Sequence, residues 1–187
     1  MSSRKRQRGL SVLEILFSVS IFGLVIAGAL FALMGTLSAW DRGQARIQAE
    51  LECQQALRRV TSTLQEAMHA QVDSDGMGIT YRLPQKDAQG SILFPLTWDG
   101  VDRRIELDGS NLRMSSPSGW QILLNNVMTT DPNDPGGGTY RLFLASAGTT
   151  VRQVIVQIAV ERRLRNNQKV WARARESVRL RNVPPLN

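Results

Sequence analysis

The sequence predicts an α+β fold: one long N-terminal helix, half membrane anchor and half packed on a head, with that head built from a largely antiparallel β-sheet. Three observations carry this reading. Residues Ile15 to Ala39 form a 25-residue stretch without a charge. Beyond it, apolar residues recur at spacings of three and four as far as about Val72. From Met77 onward, short runs of strand formers are broken by turn dipeptides.

At 187 residues the chain has room for one domain with a real core and a long helix besides. The formal charge of +7 is unevenly spread. Four of the positive charges (Arg4, Lys5, Arg6, Arg8) precede Leu10, so losing residues 1–9 would leave about +3. A modestly basic body does not by itself imply a nucleic-acid partner. The single cysteine, Cys53, excludes an intrachain disulfide framework and a Cys-cluster metal site. With one histidine, His69, there is no Cys/His pair at short spacing.

The uncharged stretch is long enough to cross a bilayer core of ~30 Å as a helix. Basic residues before it place the N-terminus on the cytoplasmic side, and Trp40 suits the far interface. On these features alone two ordinary readings stay open. One is an uncleaved anchor; the other is a secretory signal with a small-residue site at Ala27-Gly28-Ala29, although the stretch is long for a secretory core. Glu14 adds a further constraint. An acidic residue at the bilayer centre costs ~2.5–3.5 kcal/mol, so a carboxylate at the edge of such a helix points to a partner.

The junction reads Arg8-Gly9-Leu10-Ser11-Val12-Leu13-Glu14, followed by apolar sequence. This order resembles the prepilin (class III) signal of the type IV pilin-like family: a short basic leader, Gly, an apolar residue, and Glu as the fifth residue after the cut. The resemblance implies cleavage between Gly9 and Leu10 by a membrane-embedded prepilin peptidase, and N-methylation of the new amine at Leu10. The family prefers Phe or Met after the cut; Leu10 departs from that. It also implies that Glu14 sets assembly register, by pairing with the positive amine of Leu10 in the same or a neighbouring subunit.

Past Trp40, the residues Ala49, Cys53, Leu57, Val60, Leu64 and Met68 form one apolar stripe, with charged and amide residues filling much of the remainder. Asp73-Ser74-Asp75-Gly76 is expected to end the helix. A helix from Ser11 to Val72 would run roughly 90 Å at ~1.5 Å per residue. Ile47 and Leu51 project away from the stripe, where a neighbouring subunit could meet them. Gly23, Gly28 and Gly35 lie within the apolar half and permit close helix packing. The expected organisation is a leader at 1–9, a membrane or filament-core helix at 10–39, its amphipathic continuation at 40–72, and a β-rich head at 73–187.

Candidate strands in the head are Ile79–Leu83, Ile92–Trp98, Arg103–Leu107, Asn111–Met114, Trp120–Leu124, Tyr140–Leu144, Val151–Arg162 and Lys169–Leu180. Turn chemistry separates them at Asp99-Gly100, Asp108-Gly109, Pro117-Ser118-Gly119 and Arg165-Asn166-Asn167. The last two strands read as a long hairpin. The ending Ser177-Val178-Arg179-Leu180-Arg181-Asn182 is similar to the C-terminal strand of larger minor pilins and pseudopilins, the W type of type IV pili and the J type of type II secretion.

No catalytic motif emerges, and no cofactor or metal is expected. Cys53 suits a small core position, and His69 has no nucleophile motif around it. Whether Asp131-Pro132-Asn133-Asp134-Pro135 and the following glycines hold calcium stays open, since Ca²⁺ takes 6–8 oxygens in a defined order. Arg173, Arg175, Arg179 and Arg181 fall on one face of the final strand. They could line a nucleic-acid site, but with Trp171 the one aromatic beside them they read better as a solvated edge that deters aggregation.

The expected function is therefore structural. The chain is read as a minor pilin or pseudopilin, initiating or at the tip, in a type II secretion pseudopilus or a type IV pilus. It would sit as a single-pass inner-membrane protein with its head outside the cytoplasm, then in the filament. Its expected partners are prepilin peptidase, other minor and major pilins, and an assembly platform protein. The alternatives are a DNA-binding competence-type pilin and a membrane-anchored receptor that never assembles.

Overall fold

A computed structural model describes residues 12–131, 134, 137–145, 151–164 and 167–181. The chain divides into two compact units, Met1–Gly43 and Gln44–Asn187. One helix, α1 (Val12–Glu66), runs through the first and into the second. Eight strands follow among the described residues: β1 (His69–Val72), β2 (Gly78–Pro84), β3 (Trp98–Asp108), β4 (Asn111–Ser116), β5 (Gly119–Leu124), β6 (Phe143–Ala145), β7 (Gln153–Arg163) and β8 (Lys169–Arg179). All the strand pairs are antiparallel. The α+β class is as the sequence predicts.

Within the second unit the stripe is the buried face of the helix. Ala49, Cys53, Leu57, Val60 and Leu64 are all buried, joined by Ala56 and Thr61. They meet the inner faces of the strands, where Ile79, Tyr81, Ile105, Leu112, Phe143, Val154, Val156, Ile158 and Val178 are buried. Burying one such side chain contributes about 1.5–3 kcal/mol, which is what holds helix and strands together.

The helix was expected to reach about Val72, and it stops at Glu66. Ala67 donates to the Leu64 carbonyl at 3.1 Å, tightening the last turn, and Met68 donates to Arg82 of β2 at 3.0 Å. Met68 therefore leaves the helical stripe, and His69–Val72 pairs with Ile79–Arg82. The segment Ala67–Val72 has good helix propensity, but ladder pairing and burial of Ala70 outweigh a difference of under ~1 kcal/mol per residue. Consequently Asp73-Ser74-Asp75-Gly76 is the β1–β2 connection rather than a helix terminus. Asp73 donates to Gly78 at 2.9 Å, and Gly76 adopts φ 73°.

One sheet was expected, and two form: a five-stranded sheet in the order β1-β2-β3-β4-β5 and a three-stranded sheet β6-β7-β8. They are stitched at two places. The Gly76 carbonyl accepts from both Leu142 and Phe143 at 2.9 Å. A Cβ at Gly76 would lie 2.9 Å from Arg141 Cβ, so the close approach there needs glycine. The second stitch is the segment after β5, which takes the side of β7 that short β6 leaves: Val127 bridges Val160, and Met128 donates to Ala159 at 2.8 Å.

Two local expectations fail between Ile92 and Gly100. Ile92 makes only an isolated bridge with Lys86, and Pro95 has no N–H to continue a ladder. Asp99-Gly100 is not a turn between strands but part of β3. There the register steps from Arg82↔Asp102 to Pro84↔Trp98, with Gly100 at φ 85° absorbing the bulge. By contrast, Gly109 at φ 62° and the two-residue link Pro117-Ser118 turn the β3–β4 and β4–β5 hairpins as expected. In the β7–β8 hairpin Arg165 and Asn166 lie outside the described residues, while Asn167 has φ 62°.

Candidate functional site: the N-terminal segment

Gly9 and Leu10, the expected cleavage and methylation positions, lie outside the described residues. What is described begins with Val12, and Glu14 stands in the first turn of α1. An acidic group there complements the partial positive charge of a helix N-terminus. Glu14 is exposed and has no ion pair among the described residues.

The side chains that follow have the character of a surface made for an apolar medium. An 18-residue window of this helix reaches a mean hydropathy of 2.5 with none of it buried. Phe17, Phe22, Leu24, Phe31 and Met34 are all more than 60% exposed. Its hydroxyls are already satisfied: Ser18 donates to Glu14 O, Ser20 to Leu16 O and Thr36 to Ala32 O at 2.8 Å, and Ser38 to Gly35 O at 2.9 Å. Donors closed onto the helix backbone can enter lipid or a helix bundle without stranding a proton. Gly23, Gly28 and Gly35 face open space, so another helix can approach closely at each. In the second unit Ile47 and Leu51 are exposed, pointing away from the stripe as expected.

The arginine strip is only partly assembled. Arg173, Arg175 and Arg179 alternate along β8 and are exposed, facing Ala159, Gln157 and Gln153 of β7 rather than acids. Arg181 lies past the strand end, where its N–H donates to Gln65 O at 3.2 Å. In the 131–138 loop the Asp134 carboxylate accepts from Gly138 N–H at 3.3 Å. No group of three or more His, Cys, Asp or Glu residues suited to a metal occurs among the described residues. Cys53 is buried, with Sγ 3.6 Å from Ala172 O, and burial pushes its thiol up to about 11. That is the behaviour of a core residue, not of a reactive thiolate.

Sequence reasoning missed the outer face of the five-stranded sheet. Arg104 binds Asp73 (2.6 Å) and Glu106; Arg113 binds Glu106 (2.6 Å) and Asp108 (2.7 Å). Arg82 lies 4.3 Å over the Trp98 ring, and Arg113 4.4 Å over Trp120. The alternation in Arg104-Ile105-Glu106-Leu107-Asp108 was the available signal. Hydrogen bonds from Arg113, then Arg104, hold Glu106 below the usual carboxylate range. Its contribution is therefore complete above the unfolded value of ~4.3 and fades as pH falls through the lower folded value. We expect Glu106→Gln to cost about 1–2 kcal/mol at neutral pH. The gap from the parent should narrow toward pH 3, as read from denaturant unfolding in detergent followed by tryptophan fluorescence.

The family described as the prokaryotic N-terminal methylation motif matches residues 4–30. No curated protein and no solved structure matches the chain. The matched span holds the basic leader, the Gly9-Leu10 junction, Glu14 and the first part of the uncovered apolar helix. Over this N-terminal segment the chain carries the prepilin-type motif, which supports a type IV pilin-like protein, implies processing by prepilin peptidase and assembly with other pilins, and together with the apolar helix fits a single-pass membrane anchor.

Proposed function

We propose that the chain is a minor pilin or pseudopilin, a non-catalytic subunit that initiates or caps a type IV pilus or a type II secretion pseudopilus. The observation that carries this is an apolar helix left uncovered in its own unit, with a carboxylate in its first turn that has no ion pair among the described residues, and the prepilin motif over it. In the membrane the helix is held by lipid; in the filament, helices of neighbouring subunits replace the lipid. The absence of proline throughout Val12–Glu66 and the W/J-like end of the chain support a minor position, since major pilins commonly carry proline in this helix. The N-terminus lies on the cytoplasmic side of the inner membrane and the head outside it, and a platform protein receives the processed subunit.

The mature chain should begin at Leu10. Mass spectrometry of its N-terminus in cells with and without prepilin peptidase checks this, with Gly9→Val expected to abolish processing because a branched Cβ crowds the scissile bond. An intact Met1 leader in both strains, or a start at Leu30, would overturn the reading. Proteomics of sheared filaments should then find the chain as a scarce component; its presence as the bulk shaft subunit would refute the minor role.

A further inference from the structure

The two sheets end in edges that the sequence treats in opposite ways. β8 closes the three-stranded sheet, and along it Arg173, Arg175 and Arg179 stand without an ion pair among the described residues. A second β8 laid alongside would set cation against cation, which is how natural edges refuse pairing. β5 closes the five-stranded sheet, and no charged residue occurs between Arg113 and Asp131. Pro117 lies in the turn before β5, so every residue of Gly119–Leu124 keeps its N–H. Among the described residues nothing hydrogen-bonds to the far side of β5. Trp120 and Ile122 are 48% and 56% exposed on it. This edge is open, neutral and apolar.

We propose that β5 is a homotypic docking edge, on which a second copy of this chain pairs antiparallel about a two-fold axis through Gln121. The register follows from geometry. A two-fold normal to the sheet keeps the helix-covered face of both copies on one side, so opposed residues must share a face and the axis must pass through a residue. Centred on Gln121, it sets Trp120 of each copy against Ile122 of the other. An aromatic against a β-branched residue is a favourable cross-strand pair, and here it occurs twice without any like charges meeting. The bulge between Leu112 and Arg113 of the β4–β5 ladder turns Leu124 into the core, leaving Trp120 and Ile122 alone for this contact. The indole is also held in place beforehand. Arg113 stacks on it at 4.4 Å while bound to Glu106 and Asp108, so little freedom remains to be lost on docking.

The inference stands on the head alone and does not depend on the filament role. It is tested by disulfide trapping of the full-length chain in membranes, with Gln121→Cys as the reporter. Opposed residues at such an axis have Cα atoms ~4.5–5.5 Å apart, inside the range a disulfide spans. Mild oxidation should give a species of twice the chain mass, reversed by reductant. The parent chain with only buried Cys53 should stay monomeric. Adding Ile122→Lys should reduce the dimer at least tenfold, and Arg175→Cys on β8 should give none. A monomer only, an adduct with a different polypeptide, or equal trapping from Arg175→Cys would each overturn the proposal.

Discussion

Replacing Glu14 with alanine is expected to leave cleavage and membrane insertion intact and to cut incorporation into a filament by two orders of magnitude or more. The effect has a direction. Removing an exposed carboxylate makes the isolated helix more apolar, so insertion, if anything, becomes easier. In a bundle of apolar helices the same change leaves the amine at Leu10 without a counter-ion. Breaking a buried pair typically costs ~3–5 kcal/mol, and each 1.4 kcal/mol is about tenfold in association. Glu14→Gln should be nearly as damaging, since it keeps the shape and loses the charge. Co-purification with partner pilins, or piliation or secretion at matched expression, measures it. Normal assembly by both variants would show that the carboxylate is a tolerated charge at a helix end.

Phe143→Ala should destabilise the head by about 3–5 kcal/mol, a large part of a stability normally within ~5–15 kcal/mol. Phe143 is fully buried in β6, and its N–H donates to Gly76 at the first stitch between the two sheets. Truncating it opens a cavity where β6 meets the β1–β2 turn, at the junction both sheets need. Guanidinium unfolding of the full chain in detergent should show a lowered midpoint with an unchanged slope. Phe143→Leu should recover most of the loss, because it refills most of the volume. Phe94→Ala, at a position 85% exposed, is the matched control and should shift stability by less than about 0.5 kcal/mol. A midpoint for Phe143→Ala equal to the control's would mean that the two sheets do not depend on this contact.

How far each feature could be read in advance depends on the range of the forces that make it. The 25-residue uncharged stretch, the buried stripe from Ala49 to Leu64 and the Gly9-Leu10-Glu14 order are local patterns, fully present in consecutive residues. The two-residue turns after β3 and β4 were legible for the same reason, since a short turn depends on a few backbone angles that glycine and proline largely set. Met68 shows the limit. It fits the helical stripe by spacing, yet its N–H is claimed by Arg82 of β2, a partner that no local window contains. The same holds for Asp99-Gly100, which has the composition of a turn and serves as a bulge because Pro84 and Trp98 are paired across it.

The sequence by itself determined the uncharged N-terminal helix, its motif and the burial face of the helix, because periodicity and charge along one segment are enough to specify them. Only the tertiary structure decided that the strands divide into two sheets joined at Gly76 and Val127, since those joins rest on hydrogen bonds between distant residues. It also decided which charges are spent. Arg104 and Arg113 are bound within a carboxylate network that brackets a tryptophan, while Arg173, Arg175 and Arg179 have no ion pair among the described residues. Composition cannot separate these two sets of arginines. Strand register does, because it alone sets which carboxylates come within ~4 Å of each guanidinium.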